Sequence, residues 1–179
     1  MSARLWYVVG PSGAGKDTLI NLARARLAGS TTLFAHRYIT RPADAGGENH
    51  VALSPAEFDA REAGGCFALT WRRHALAYGV GVEVEAWLAA GFDVVVNGSR
   101  AALPAARARF PSLVPVFVTA SPAVLAQRLA RRGREDAAAI AQRLAEAGAF
   151  TPPDDARVIV NDGVPEAGGD ALLRLLAGG

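Results

Sequence analysis

The segment from Gly10 to Lys16 constrains the fold of this chain more than any other feature of its sequence. It matches the Gly-x-x-x-x-Gly-Lys pattern of loops that bind nucleotide phosphates. In such loops the glycines let main-chain N–H groups converge on phosphate oxygens, and the lysine reaches the β- and γ-phosphates. An apolar run at residues 5–9 precedes the loop, and a segment with helical spacing follows at 18–27. This context predicts a strand, a phosphate-binding loop and a helix in direct succession.

The use of lysine supports the same prediction. Lys and Arg together number 19, and because Lys16 is the one lysine, the other 18 are arginines. A lysine kept in such a chain indicates a position that needs a compact ammonium on a flexible stem rather than a planar guanidinium. We expect the phosphates of ATP to contact the loop and the start of the next helix: Gly10, Pro11, Ser12, Gly13, Ala14, Gly15, Lys16, Asp17 and Thr18.

Composition excludes several classes of protein. The net charge is +2 and no basic run exceeds two residues, which argues against a nucleic-acid partner. No apolar run is long enough to span a membrane, and the first predicted strand begins by Leu5, so we expect no signal peptide, no membrane partner and a cytoplasmic location. Cys66 is alone, which excludes a disulfide framework and predicts a small packed side chain.

Apolar runs alternate with helical patterns along most of the chain. We expect strands at residues 5–9, 32–39, 92–96, 113–119 and 157–161, with helices between them. Such alternation is typical of an α/β fold with a parallel sheet between helix layers. The sequence therefore predicts a three-layer P-loop kinase fold with a five-stranded parallel sheet.

Two segments depart from this alternation. Residues of about 40–82 are too long and irregular for a loop, so we expect a small lobe that binds the acceptor, inserted into a core of 1–39 and 83–179 within one domain. Residues of about 128–143 are rich in arginine and are broken at Gly133, which predicts a lid that closes over the triphosphate. The alternative is a solvated amphipathic helix whose arginines pair with acidic neighbours. The phosphate loop favours the lid.

Three segments resemble the guanylate-kinase branch of the nucleoside monophosphate kinases. They are the phosphate loop, the segment Thr40-Arg41-Pro42 with the later Tyr78-Gly79, and the arginine-rich residues 128–144. The resemblance implies ATP as phosphoryl donor and implies that Arg41 and Tyr78 hold the acceptor. It also implies catalytic contacts to the transferring phosphoryl group from Lys16, Arg128, Arg132 and Arg143.

The departures from that branch concern the recognition of guanine. Leu69, Val80 and Asn97 stand where the branch places its base-reading groups, and an apolar side chain cannot pair with a base. An acidic stretch of the branch is replaced by Trp71-Arg72-Arg73-His74. These changes favour an acceptor that lacks guanine and carries more phosphate.

The chain resembles more closely the ribose 1,5-bisphosphate phosphokinases of phosphonate breakdown. The likeness lies in Lys16-Asp17, in the Thr-Trp-x-x-His segment followed by Tyr78-Gly-Val, and in residues 96–100 and 132–135. It implies transfer of the ATP γ-phosphoryl group to the 1-phosphate of ribose 1,5-bisphosphate, giving 5-phosphoribosyl 1-diphosphate and ADP. Two alternatives are a guanylate kinase with an altered base pocket and a non-catalytic guanylate-kinase-like module, although such modules tend to lose the phosphate loop.

The acceptor of this reaction is already anionic, so the chemistry needs cations more than a base. We consider His74 as a base, with a packed or substrate-orienting histidine as the alternative. The expected acceptor-binding residues are Arg41, Arg72, Arg73, Tyr78, Asn97 and Arg100. The sequence indicates no oligomeric state.

Asp17 stands where phosphate loops usually place a hydroxyl on Mg²⁺. Since Mg²⁺ prefers carboxylates, phosphates and water, Asp17 is a candidate Mg²⁺ ligand, directly or through water. The alternative is that Asp17 only caps the helix after the loop. The sequence leaves both interpretations open.

Overall fold

The computed structural model describes residues 3–132 and 136–178, apart from the side chain of Arg132. The strands are β1 (Leu5–Val9), β2 (Thr32–Phe34), β3 (Arg37–Ile39), β4 (Val51–Ala52), β5 (Phe67–Arg73), β6 (Leu76–Gly81), β7 (Asp93–Asn97), β8 (Leu113–Thr119) and β9 (Arg157–Val160). The helices are α1 (Lys16–Arg26), α2 (Pro55–Ala63), α3 (Glu83–Ala89), α4 (Leu103–Arg109), α5 (Pro122–Arg132), α6 (Ala137–Gly148) and α7 (Pro165–Ala177).

One sheet is parallel and five-stranded, with the order β2-β7-β1-β8-β9. All five residues of β1 are buried, as are residues 94–97 of β7. Continuous apolar strands of this kind are typical of a parallel sheet covered on both faces, because neither face is left to water. The predicted α/β fold with a five-stranded parallel sheet is confirmed.

The prediction of one strand over residues 32–39 is wrong. The segment forms two strands, β2 and β3, that belong to different sheets. β2 pairs with β7, whereas β3 pairs with β4 and β6. The local sequence favours extended backbone throughout, and the division depends on partners that lie far away along the chain.

The chain forms two compact units, and β1 contributes to both. The first unit comprises Met1–Tyr7 and Gly29–Leu113. It contains a four-stranded sheet with the order β4-β3-β6-β5, in which β5 and β6 form an antiparallel hairpin. The hairpin turns at His74 and Ala75, whose φ angles are 51° and 60°. Positive φ at both central residues is the geometry of the tight turns that match the twist of a hairpin.

A small core lies under the four-stranded sheet. Leu53, Phe58 and Ala77 are buried together, and Tyr38 and Phe67 pack against them. The Phe58 and Phe67 rings stack with their centroids 4.7 Å apart. Helix α2 presents Phe58 to this core and begins at Ser54, whose hydroxyl accepts a hydrogen bond from the N–H of Glu57.

The second unit comprises Val8–Ala28 and Val114–Gly179. In it α1 packs against α7, and α5 packs against α6. Helix α6 begins at Asp136, whose carboxylate accepts a hydrogen bond from the N–H of Ala139 at 2.8 Å. The predicted lid therefore begins in α5 and ends in α6. The hinge expected at Gly133 lies outside the described residues, together with Arg134 and Glu135.

Two further findings bear on the composition-based predictions. Within residues 3–132 and 136–178, no helix combines the length and apolar character needed to cross a membrane. The prediction of a packed Cys66 is wrong, since its side chain is exposed. Cys66 follows Gly64 and Gly65 at the end of a turn after α2, before β5 enters the sheet.

Candidate active site

The phosphate loop, residues 10–16, follows β1, leads into α1 within the second unit and passes close to β8. A Cβ built on Gly10 would lie 2.0 Å from the carbonyl oxygen of Val118, and the φ of Gly10 is 155°. Any side chain at this position would collide with main-chain atoms, so the close approach requires glycine. Gly10 therefore lets the loop leave β1 directly beside the neighbouring strand.

The ammonium group of Lys16 folds back over the start of the loop. Its Nζ donates hydrogen bonds to the carbonyl oxygens of Gly10, at 2.9 Å, and Pro11, at 3.3 Å. Lys16 is the first residue of α1, so the positive end of the helix dipole adds to its charge. Ammonium and helix N-terminus together make the loop attractive to anions.

Two of the predicted lid arginines lie at the loop. From α6, Arg143 donates from Nη1 to the hydroxyl oxygen of Ser12 at 2.7 Å. From α5, Arg128 donates from Nη1 to the carbonyl oxygen of Gly13 at 3.4 Å, and from Nη2 to that of Asn161 at 2.8 Å. The structure thus brings Lys16, Arg128 and Arg143 together around one loop. The side chain of Arg132, the fourth predicted catalytic residue, lies outside the described part of the chain.

Asp17 lies in the first turn of α1, and its alternative role as the helix cap is wrong. The cap position is occupied by Gly15, which has a φ of 89°, so no side chain caps the N-terminus of α1. No group of three or more His, Cys, Asp or Glu side chains that could hold a metal occurs in the described residues. A single carboxylate beside a phosphate loop still fits Mg²⁺, which takes most of its ligands from phosphates and water.

Arg41 follows β3 in the first unit and is supported by a buried histidine. Its Nη2 donates to the carbonyl oxygen of Gly46 at 2.8 Å and lies 3.4 Å from Nδ1 of His50. The Nε2 of His50 donates to the carbonyl oxygen of Arg41 at 3.1 Å. The Nε of Arg41 is buried without a hydrogen-bond partner among the described residues. Buried N–H groups are normally paired, so this donor is suited to an anionic ligand.

Tyr78 lies on β6, opposite Trp71 of β5. Their rings stack with centroids 5.5 Å apart and planes only 2° from parallel. The guanidinium of Arg37 lies 5.2 Å from the centre of the Tyr78 ring and also pairs with Glu48, whose Oε2 accepts from Nε at 2.8 Å. Tyr78 is therefore held as a rigid part of the sheet surface.

Arg72 is engaged by carboxylates of α2. Its Nη2 lies 2.6 Å from Oε2 of Glu62 and 3.5 Å from Oδ1 of Asp59. The hydrogen bond from Arg72 is the main reason why the pKa of Glu62 is lowered from its usual value. Much of the charge expected of Arg72 toward a phosphate is thereby compensated within the protein.

Arg73 and His74 lie together at the hairpin turn. The Nε of Arg73 donates to Nε2 of His74 at 3.1 Å. His74 is exposed and occupies a turn position. Packing of His74 in the interior is therefore excluded, and its role as a base or as a substrate-orienting residue stays a prediction.

The segment from Asn97 to Arg100 follows β7 and is anchored by Tyr7. The hydroxyl of Tyr7 donates to the carbonyl oxygen of Ser99 at 3.2 Å and accepts from the N–H of Ser99 at 3.0 Å. A Cβ on Gly98 would lie 2.2 Å from Cζ of Tyr7, so the ring fills the space beside the main chain. Burial raises the pKa of Tyr7 to about 12, which keeps its hydroxyl protonated at neutral pH.

Two positions that the guanylate-kinase branch uses to read guanine are apolar and buried. Leu69 and Val80 are neighbours across the β5–β6 pair, with relative exposures of 6% and 0%. Asn97, at the third such position, is buried at the end of β7. Leu69 and Val80 cannot supply a hydrogen bond to a base.

Sequence reasoning missed Asn161 and His50. Asn161 follows β9, and its side-chain Nδ2 donates to the carbonyl oxygen of Ala14 in the phosphate loop at 2.8 Å. A detectable signal was its position, since a polar residue at the carboxyl end of a parallel strand lies at the edge where ligands bind. His50 has no such signal, because its role depends on the path of residues 41–50.

Comparisons with known proteins found close relatives. No family model matches the chain. The ribose 1,5-bisphosphate phosphokinase PhnN of Chromobacterium violaceum is 67% identical over 175 residues, covering 98% of this chain and 94% of that protein. The protein of the same name from Laribacter hongkongensis is 65% identical over 176 residues, covering 98% of this chain but 43% of that longer protein. The solved guanylate kinase from Anaplasma phagocytophilum covers 99% of this chain and 86% of its own, with a TM-score of 0.70 at 18% identity, a likeness of fold alone.

Proposed function

Because this chain belongs to the family of ribose 1,5-bisphosphate phosphokinases PhnN, we propose that it phosphorylates ribose 1,5-bisphosphate with ATP. An oxygen of the 1-phosphate attacks the γ-phosphorus of ATP. The bond between that phosphorus and the β,γ-bridging oxygen breaks, and ADP leaves. The other product is 5-phosphoribosyl 1-diphosphate. We place this reaction in phosphonate catabolism and in the cytoplasm.

The observation that carries the proposal is the convergence of Lys16, Arg128 and Arg143 on the phosphate loop. Phosphoryl transfer asks little covalent chemistry of a protein and depends on positioning and on cations near the transferring group. In the proposed role Lys16 binds the β- and γ-phosphates. Arg143, with Arg132, stabilises the charge that develops on the transferring group, while Arg128 also holds the loop.

Mg²⁺ is the proposed cofactor, and Asp17 is the residue that would hold it. Bound at ATP, the ion would offset the charge of the β- and γ-phosphates. Asp17 occupies the first turn of α1, next to Lys16. No general base is required, since a phosphate oxygen is already ionised at neutral pH.

The acceptor would be bound by residues of the first unit. Arg41 offers a buried Nε donor, and Arg100 follows Asn97 at the carboxyl end of β7. Arg73 lies at the hairpin turn, and Tyr78 forms part of the sheet surface. The apolar Leu69 and Val80 favour an acceptor without a base. Arg72 is the weakest of the proposed ligands, because it is already paired with Glu62.

The proposal is tested by following ATP turnover with three acceptor conditions: ribose 1,5-bisphosphate, GMP and no acceptor. We expect ADP and 5-phosphoribosyl 1-diphosphate in equal amounts from the bisphosphate, identified by phosphorus NMR. GMP should give negligible GDP, because its base would meet apolar side chains where it needs partners. Ribose 5-phosphate serves as a matched control that lacks the 1-phosphate nucleophile.

Efficient formation of GDP, with no diphosphate product from the bisphosphate, would establish the guanylate-kinase alternative. ATP hydrolysis at one rate in all conditions would contradict both kinase assignments. An absence of ATP binding would favour a non-catalytic module.

A further inference from the structure

Asn161 lies at the centre of the contacts that hold the phosphate loop. It follows β9 and is 4% exposed. Its main-chain N–H donates to the carbonyl oxygen of Thr119 at 2.7 Å, which fixes it to the end of β8. Its Nδ2 donates to the carbonyl oxygen of Ala14 at 2.8 Å. One buried amide therefore ties the loop to the edge of the sheet.

Two glycines leave the room that this amide occupies. A Cβ on Gly15 would lie 2.6 Å from Nδ2 of Asn161, and a Cβ on Gly168 would lie 2.6 Å from Oδ1. Both distances are far shorter than a carbon makes with nitrogen or oxygen without a bond. The side chain is thus enclosed between the loop and the first turn of α7, and its position is determined from both sides.

The same residue also holds Arg128. The main-chain carbonyl oxygen of Asn161 accepts from Nη2 of Arg128 at 2.8 Å, while Nη1 reaches the carbonyl oxygen of Gly13. Asn161 and Arg128 therefore donate hydrogen bonds to the carbonyl oxygens of two consecutive loop residues, Ala14 and Gly13. With these two carbonyl oxygens held, and with the N–H of Ala14 donating to the carbonyl oxygen of Pro11 at 3.3 Å, the main chain of this part of the loop has a fixed orientation.

We infer that Asn161 is a positioning residue for ATP, which acts by holding the phosphate loop in the shape that binds the β- and γ-phosphates. This inference rests on the proposed function only in taking the loop to be the ATP site. Asn161 makes no contact with the acceptor in this role. Its loss should weaken the binding of ATP and leave the binding of the acceptor unchanged.

The chemistry of the side chain selects an informative variant. Asn161→Leu has nearly the same shape but no donor for Ala14. The Oδ1 of Asn161 is buried and has no hydrogen-bond partner in the described part of the chain, so replacing it with carbon removes no hydrogen bond there. The effect of Asn161→Leu therefore reports on the contact with the loop.

A second variant reaches the same contact without changing Asn161. In Gly168→Ala the new methyl group meets Oδ1 and pushes the amide toward or past Ala14. Gly163→Ala is the matched control, because a Cβ at Gly163 has no atom within 4 Å and this glycine lies in the same connection between β9 and α7.

The experiment measures the Kd of ATP by calorimetry without acceptor, the KM of each substrate, and the Tm. We expect Asn161→Leu to raise the Kd and KM of ATP by about 10-fold, the effect of losing one buried hydrogen bond at the loop. The KM of ribose 1,5-bisphosphate should stay within about twofold. Gly168→Ala should change ATP binding in the same direction, and Gly163→Ala should match the wild type.

A fall in Tm in both variants, with the Kd of ATP equal to that of Gly163→Ala, would overturn the inference and leave Asn161 a structural residue. Equal increases in the KM of both substrates would overturn it as well. If Asn161→Leu fails to fold, Gly168→Ala decides the question. A wild type that binds ATP but forms no 5-phosphoribosyl 1-diphosphate contradicts the proposed function alone, because ATP binding is measured without acceptor.

Discussion

Arginines surround both the phosphate loop and the four-stranded sheet, but their partners differ. At the loop, Arg128 donates to two main-chain carbonyl oxygens and Arg143 donates to a hydroxyl. At the four-stranded sheet, Arg37 pairs with Glu48, and Arg72 pairs with Glu62. The guanidinium of Arg128, bonded to neutral oxygens, keeps its field, whereas the carboxylate partners of Arg37 and Arg72 cancel much of theirs.

This difference separates arginines that can attract phosphate from arginines that build the structure. The pair of Arg37 and Glu48 is largely buried, with side-chain exposures of 13% each, and it lies against Tyr78. Removing one partner of such a pair leaves a buried charge, which is destabilising. Of the arginines near the sheet, Arg41 is bonded to a carbonyl oxygen and a histidine. In this respect it resembles Arg128 at the loop.

The largest effect is expected from Lys16. Lys16→Ala should lower kcat by on the order of 10²-fold or more, because it removes a cation at the transferring group. We expect its Tm to change little, since the hydrogen bonds from the ammonium to the carbonyl oxygens of Gly10 and Pro11 lie within the loop itself. Arg157→Ala, an exposed arginine of β9 in the same unit, is the control and should retain wild-type kcat. Normal turnover of Lys16→Ala would contradict a catalytic role for the phosphate loop.

Arg132 and Arg143 test whether the lid acts in the transition state. Each single alanine variant should lower kcat by on the order of 10²-fold, with folding intact by circular dichroism. Arg131→Ala, an exposed neighbour on α5, is the matched control. Wild-type turnover in the Arg132→Ala, Arg143→Ala double variant would show instead a solvated helix without a catalytic role.

Arg41 and Arg72 test the difference between the two kinds of arginine directly. Arg41→Ala should raise the KM of ribose 1,5-bisphosphate by about 10-fold or more, as expected for one charged hydrogen bond, and should leave the KM of ATP unchanged. Arg72→Ala should raise the KM of the acceptor less than about threefold, and its exposed ion pair should contribute little to stability. Equal effects of the two substitutions would show that pairing with Glu62 does not reduce the action of Arg72.

Asp17 tests whether the residue that follows Lys16 supplies a negatively charged ligand for Mg²⁺. Asp17→Asn should raise the Mg²⁺ concentration for half-maximal rate by about 10-fold, the effect of exchanging a charged ligand for a neutral one. The Tm should stay nearly constant, since Gly15 occupies the cap position. Measuring the rate against Mg²⁺ at saturating ATP separates the outcomes. An unchanged Mg²⁺ dependence would exclude the metal role.

The smallest effect is expected from Tyr7→Phe, which loosens the segment from Asn97 to Arg100. Losing the two hydrogen bonds to Ser99 should lower the free energy of unfolding by about 1–3 kcal/mol at pH 8. The folded-state pKa of Tyr7 is raised to about 12, so its contribution is complete below pH 10 and is lost as the pH rises through 12. Urea unfolding at pH 8 and pH 11 should therefore give a smaller difference between wild type and Tyr7→Phe at pH 11. A constant difference would contradict this role of Tyr7.

Part of this protein could be predicted from the sequence because the relevant constraints are local. The spacing of Gly10, Gly15 and Lys16 predicts the phosphate loop, because these residues lie close together in the chain and are therefore close together in the folded loop. Continuous apolar runs predicted β1, β7, β8 and β9 within one residue. The runs of β1 and β7 are buried on both faces of the sheet, whereas β9 is an edge strand that is mostly exposed.

The tertiary structure decided which side chains act together, because their partners are remote along the chain. Arg143 reaches Ser12 across 131 residues, and Arg128 reaches Gly13 across 115. Asn161 reaches Ala14 across 147 residues. The division of residues 32–39 between two sheets depends in the same way on distant strands. An arginine in the sequence is a charge of known sign, but whether a carboxylate cancels that charge depends on contacts that only folding creates.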